Sequence, residues 1–265
     1  MGPQSLEDNL SDPACRDGVG LHLDYHEVTN NWDPATLDPT RREIAYAAFF
    51  ETIPYVPEVR QRLWRSLRYG PVELWVLDCR GERDADAGHY ISPKQLRWLK
   101  DGLSSSDAVW KVIANSVPIT NMPLAWDFGN AQLDRWEGFP NCTQRDQLLD
   151  HITETGISGV FFISGDLHQT TLGRLEPEGP RSKIFETLAG PGGSFKNIAA
   201  QLLGEDGQQW LYNDAEWSAT WTEFRADGTA TLVCVDESGN RLFHAEVDVD
   251  GGAELIEVYH PWHHQ

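Results

Sequence analysis

Positive charge is scarce in this chain. Lys and Arg number 21 against 41 Asp and Glu, a formal net charge of −20. A surface that acidic opposes broad binding to nucleic acid or to anionic membrane. It also repels small anions at long range, so a site for one needs a local positive field such as a metal ion supplies. Cysteine is sparse too: Cys15, Cys79, Cys142 and Cys234 form no Cys-x-x-Cys pair, which argues against a zinc knuckle and a disulfide scaffold. Cys234 sits in an alternating strand pattern and reads as a small core residue. No apolar run approaches the roughly 20 residues that span a bilayer. The opening Met1-Gly2-Pro3-Gln4-Ser5-Leu6-Glu7 is neither basic nor apolar, and Arg41-Arg42 leads into a helix pattern rather than an export signal. The chain as written is therefore expected in the cytoplasm, and exported only if a longer native start carries a signal.

What is present is the composition of a folded protein. With 265 residues, 40% of them hydrophobic, and 11 Trp, the chain can bury one sizeable core or two small ones. Thr40-Arg41-Arg42-Glu43 fits a helix capping box. Ile44, Ala47, Ala48 and Phe50 fit the inner side of that helix, and Ile53-Pro54 ends it. Residues 72–77 read as a strand. Ser92-Pro93-Lys94-Gln95 starts a second helix, in which Ser caps, Pro takes the first turn and Gln reaches back; Leu96, Leu99 and Leu103 share one face. Thr143-Gln144-Arg145-Asp146 opens a third helix, with Leu148, Leu149 and Ile152 inward and Gly156 closing it. Trp110-Lys111-Val112-Ile113-Ala114 and Val160-Phe161-Phe162-Ile163 read as buried strands. This alternation predicts a partly parallel sheet covered by helices. Past Gly190-Pro191-Gly192-Gly193 the pattern becomes an antiparallel meander over 220–258, with turns at Asp227-Gly228 and Ser238-Gly239-Asn240.

Open α/β sheets bind ligands outside the carboxyl ends of their strands. Gly165-Asp166-Leu167-His168 follows the Val160 strand, so a carboxylate and an imidazole stand two residues apart at such an end. A hard oxygen donor and a nitrogen donor that close together suit a catalytic metal ion. Asn115-Ser116 ends the preceding strand. Asp24-Tyr25-His26-Glu27-Val28-Thr29-Asn30-Asn31-Trp32 is a loop dense in groups that ligate metal, move protons or hold a substrate oxygen. Arg80 and Arg83, after the 72–77 strand, have the fork geometry to hold an anion; the competing reading pairs them only with Asp78 or Glu82.

In collinear order from about 23 to 191, these segments resemble the motifs of the PhoD-type alkaline phosphatases, a branch of the calcineurin-like metallophosphoesterases. That family's Trp-Asp-Asp-His-Glu/Asp stretch, followed by Asn-Asn-Trp, is similar to Leu23-Asp24-Tyr25-His26-Glu27 and Asn30-Asn31-Trp32. Val76-Leu77-Asp78-Cys79-Arg80, Gln95-Leu96-Arg97-Trp98-Leu99, the strand ending at Asn115, Trp136-Glu137-Gly138-Phe139-Pro140 and Gly165-Asp166-Leu167-His168 resemble its later landmarks.

The resemblance implies an α/β fold: a mixed β-sandwich flanked by helices in α/β/β/α order, with an irregular polar lead at 1–22 and the metallophosphoesterase-like domain at 23–265. It implies a metal-dependent phosphoric ester hydrolase, phosphomonoesterase or phosphodiesterase, working by attack of a metal-activated hydroxide. Asp24, Asn115, Asp166 and His168 are the implied metal ligands. His26 is the implied catalytic residue, with Glu27 orienting it, and Arg80 and Asn30 hold the substrate. Calcium and iron are the implied metals, with manganese or zinc also compatible. The expected ligand is a small-molecule phosphate ester, with no nucleic acid or membrane partner.

The departures carry expectations of their own. The family's earlier Gly-Ser-Cys-like turn and Gly-Asp-x-x-Tyr segment have no counterpart in residues 1–20, and its second Asp is Tyr25 here. The fold is therefore expected to be incomplete and the chain by itself a weak phosphatase. A bare sheet edge is expected to recruit a second copy or a complementing chain. The alternative function is a truncated, non-catalytic remnant serving as a binding or assembly module.

Overall fold

Four parallel strands run through the centre of the fold, and their apolar residues pack on both faces. The computed structural model describes residues 28, 32–52, 62–122, 135–197, 199 and 209–259. Strands β2 (Val72–Val76), β3 (Trp110–Ala114), β4 (Val160–Ser164) and β6 (Phe185–Leu188) lie side by side in that order. Every residue of β3 and β6 is buried, as strands sheltered on both faces require. Antiparallel strands extend the two edges: β1 (Arg65–Tyr69) beside β2, then β5 (Thr170–Arg174) and β7 (Trp210–Asp214) beyond β6.

Alternate residues of these strands feed two cores. Trp75, Ile113 and Phe162 meet helices α2 (Pro93–Ser105) and α3 (Gln144–Glu154) through Leu96, Leu99, Leu103, Leu148, Leu149 and Ile152. Leu74, Val112 and Phe161 face the opposite way, onto Leu232, Cys234, Phe243 and Ala245 of a second sheet. That sheet is antiparallel, in the order β11 (Ala253–Val258), β10 (Arg241–Asp248), β9 (Thr229–Asp236), β8 (Ser218–Phe224). Burying each such Phe or Leu contributes about 2 kcal/mol, so the two cores together hold the sandwich. The expected meander is present, and Gly228 and Gly239 take the positive φ (87° and 80°) that its turns require. On the outer side of this sheet Trp221 is 57% exposed. No helix among the described residues is long and apolar enough to cross a membrane.

The helix starts depart from expectation in informative ways. Helix α1 (Pro39–Thr52) is capped by Asp38, whose Oδ1 accepts the Arg41 N–H at 3.0 Å, and Pro39 takes the first position; Thr40 is already inside. Its inner face is Tyr46 and Phe49, which pack with Trp32 and Leu63, whereas Ile44, Ala47 and Ala48 are exposed. Helix α2 begins as expected, with Ser92 Oγ accepting the Gln95 N–H at 3.2 Å. The Gln95 side chain does not close a capping box. It accepts the Asp78 N–H at 2.9 Å and donates to the Asp78 carbonyl at 3.1 Å, tying the helix to the end of β2. At the start of α3 Thr143 makes no side-chain cap bond.

Candidate active site

The carboxyl ends of β3 and β4 are joined by the parallel ladder itself: the Asn115 N–H donates to the Ile163 carbonyl at 2.9 Å. Asn115 therefore stands beside Ser164, two residues before Asp166. Immediately after β4 the chain makes a γ-turn, with the Leu167 N–H on the Gly165 carbonyl at 3.0 Å and Asp166 at its centre with φ 76°. His168 is also left-handed, with φ 55°. Asp and His tolerate this region better than most residues, and strained backbone concentrates where a side chain must be aimed. The Asn197 N–H donates to the His168 carbonyl at 3.0 Å, and its side chain donates to the Leu167 carbonyl at 2.9 Å. The Phe195 ring stands edge-on to the His168 imidazole, with centroids 4.2 Å apart.

Asn115 is almost wholly buried, and its amide orientation is fixed by two donors. Cys79 Sγ at 3.0 Å and Trp136 Nε1 at 3.4 Å both converge on its Oδ1. An indole N–H can only donate, so the oxygen belongs on that side. The Nδ2 is buried and has no partner among the described residues. Trp136 stacks at 4.6 Å on Tyr90, whose hydroxyl burial pushes well above its ordinary pKa. Trp136 thus links Tyr90 to Asn115 at the end of β3.

Arg80 and Arg83 are buried here, and both point at the Trp32 carbonyl, at 3.5 and 2.9 Å. Arg83 also pairs with Asp33 at 3.2 Å. Asp78 is occupied differently: its Oδ1 accepts the N–H groups of Arg80 and Gly81 at 3.1 and 2.6 Å. Burial pushes the Asp78 pKa up to about 6. The two arginines thus anchor Trp32, and Val28 packs in the same small core as Trp32. Asp24, His26, Glu27 and Asn30 themselves lie outside the described residues.

One charged group escaped the sequence reading. Glu186 of β6 is 2% exposed and accepts three hydrogen bonds at the strand ends just described. The available signal was a lone carboxylate inside the apolar run Ile184-Phe185-Glu186-Thr187-Leu188.

The donor chemistry of the turn fits a metal ion in part. Asp166 and His168 offer an oxygen and a nitrogen on a fixed backbone, but no cluster of three or more His, Cys, Asp and Glu exists among the described residues. Asn115, as oriented, turns its oxygen toward Cys79 and Trp136.

Comparison with known proteins agrees with this architecture. The family described as PhoD-like phosphatase matches residues 7–238, and the chain belongs to that family. Alkaline phosphatase D of Bacillus subtilis (strain 168) is 26% identical over 238 residues, covering 72% of this chain and 40% of that protein. A solved structure of PhoD superimposes with a TM-score of 0.71 at 20% identity, covering 89% of this chain and 54% of that one. A purple acid phosphatase, PPD1 from yellow lupin (Lupinus luteus) seeds, superimposes with a TM-score of 0.53 at 15% identity, covering 82% and 38%. The fold is therefore the metallophosphoesterase-like sandwich, and the chain spans about half the length, or less, of the relatives it matches.

Proposed function

We propose that this chain is a metal-dependent phosphoric ester hydrolase of PhoD type, a phosphomonoesterase or phosphodiesterase acting on small-molecule esters. The observation that carries the reading is the strained Gly165–His168 turn, which sets a carboxylate and an imidazole at the end of a buried parallel strand. Asp166 and His168 hold the metal, with Asp24 as a further ligand. Calcium and iron are the first candidates, and manganese and zinc are the next. A bound metal supplies Lewis acidity and, in a chain of net charge −20, the local positive field that a phosphate ester needs.

The remaining roles belong to the chain's own side chains. His26 gives a proton to the leaving alkoxide oxygen, and Glu27 holds the imidazole in the required orientation. Asn30 binds the substrate. Asn115 was expected to ligate metal; its orientation favours donating Nδ2–H to a phosphoryl oxygen instead. Arg80 holds the substrate, and its contact with the Trp32 carbonyl helps to fix the guanidinium.

Equilibrium dialysis against each of the four metals tests this reading. The wild-type chain is expected to retain metal, and Asp166→Asn or His168→Ala to weaken retention by about 10-fold or more. A chain that retains none of the four would instead be the non-catalytic module.

A further inference from the structure

Glu186 is the one ionisable side chain of β6, and the fold buries it. Its neighbours Phe185, Thr187 and Leu188 are buried, and an aliphatic side chain would fill the position without desolvating a charge. The carboxylate is instead fully engaged. Its Oε1 accepts the Ile119 N–H at 3.0 Å and the Ser164 hydroxyl at 2.5 Å, and its Oε2 accepts the Thr120 N–H at 2.9 Å. Burial pushes its pKa up, and the bonds from Ser164, Thr120 and Ile119 oppose that shift.

The three donors belong to two different strand ends. Ile119 and Thr120 lie in the turn that follows Asn115. Ser164 is the last residue of β4 and leads into Gly165-Asp166-Leu167-His168. Since β4 lies between β3 and β6, Glu186 reaches past β4 to the turn after β3. Only an acceptor-only group with two oxygens serves all three donors; an amide of the same size offers one oxygen and would turn an NH2 toward a donor. We propose that Glu186 is a positioning residue that locks the segment following Asn115 to the turn carrying Asp166 and His168. Its catalytic consequence rests on the hydrolase reading above, whereas its effect on the two turns does not.

The test compares wild type with Glu186→Gln by three readouts: amide hydrogen exchange at Ile119 and Thr120, the NMR resonances of the His168 ring, and the separation of kcat from KM on an aryl phosphate ester. Glu186→Gln is expected to expose both amides to faster exchange and to shift the His168 resonances. It should lower kcat by about 10- to 100-fold while KM stays within about twofold. Ser164→Ala removes one arm without introducing a donor, and should move each readout the same way by less. It also keeps the proposal testable should Glu186→Gln fail to fold. Unchanged exchange and an unmoved His168 spectrum in the variants would overturn the proposal. So would faster exchange with kcat unaltered in an active wild type. Wild type without turnover, together with the expected exchange and spectral changes, would sink the hydrolase reading and leave the lock in place.

Discussion

The Arg83 guanidinium donates to the Trp32 carbonyl at 2.9 Å and pairs with the Asp33 carboxylate at 3.2 Å, so a single buried cation fastens two consecutive residues of the incoming chain. Those residues follow directly on Asn30-Asn31, and the arginine belongs to the segment after β2. A contact 51 positions apart in sequence therefore ties Trp32 to the segment that follows β2.

Arg83→Ala should cost about 2 kcal/mol, the scale of a charge-assisted hydrogen bond lost from a buried carbonyl. Arg83→Lys should recover only part of it, because one ammonium cannot reproduce the planar fork that serves both partners. Urea denaturation of the three proteins measures this. A lysine variant as stable as wild type would show that the fork geometry is unimportant.

The buried Asp78 gives stability a particular pH dependence. In the folded chain its pKa is about 6, against 3.8 for an ordinary Asp. The folded state therefore binds this proton more tightly than the unfolded state does. The associated stability is fully present below about pH 4 and is lost as pH rises through about 6. Asp78→Asn keeps the Oδ1 that accepts the Arg80 and Gly81 N–H groups but cannot ionise. Between pH 4 and 6.5, wild type should lose on the order of 2 kcal/mol more than the variant does. Parallel denaturation curves in both proteins across that range would contradict the assignment.

Gly81 is required by contact rather than by backbone angle. A Cβ there would stand 2.1 Å from the Tyr46 hydroxyl and 2.6 Å from Asp78 Oδ2. The Tyr46 ring is buried in its own core and cannot swing away. Gly81→Ala should destabilise by about 1–3 kcal/mol, and adding Tyr46→Phe should return part of that by removing the atom met first. Thermal melts of the single and double variants decide this; a double variant less stable than the sum of the singles would rule out the clash as the cause.

The sequence was most legible where one physical signal dominated. β3 and β4 are near-continuous apolar runs, α2 opens with a strong cap, and the meander alternates in polarity between glycine turns. The strands it hid are short or interrupted: β1 carries Arg65 and Arg68, β5 holds a Gly, β6 has four residues, one of them Glu186, and β7 ends in Asn213-Asp214. In α1 the signal was divided, since Thr40 and Asp38 both suit a cap, and only Pro39 at the first position decides between them. At the site, Asp166 and His168 could be read as a strand-end pair. The left-handed backbone that aims them could not, because nothing in the local composition marks a γ-turn. Glu186 and the Trp32 carbonyl contacts depend on segments brought together only by the sheet order, so no local pattern announces them.

Steady-state hydrolysis of an aryl phosphate ester, with calcium, iron, manganese and zinc supplied in turn to wild type and His168→Ala, tests the central claim most directly. Metal-dependent turnover in wild type that falls by about 100-fold or more in the variant is the predicted result. Turnover indifferent to His168, or none with any of the four metals, would contradict it.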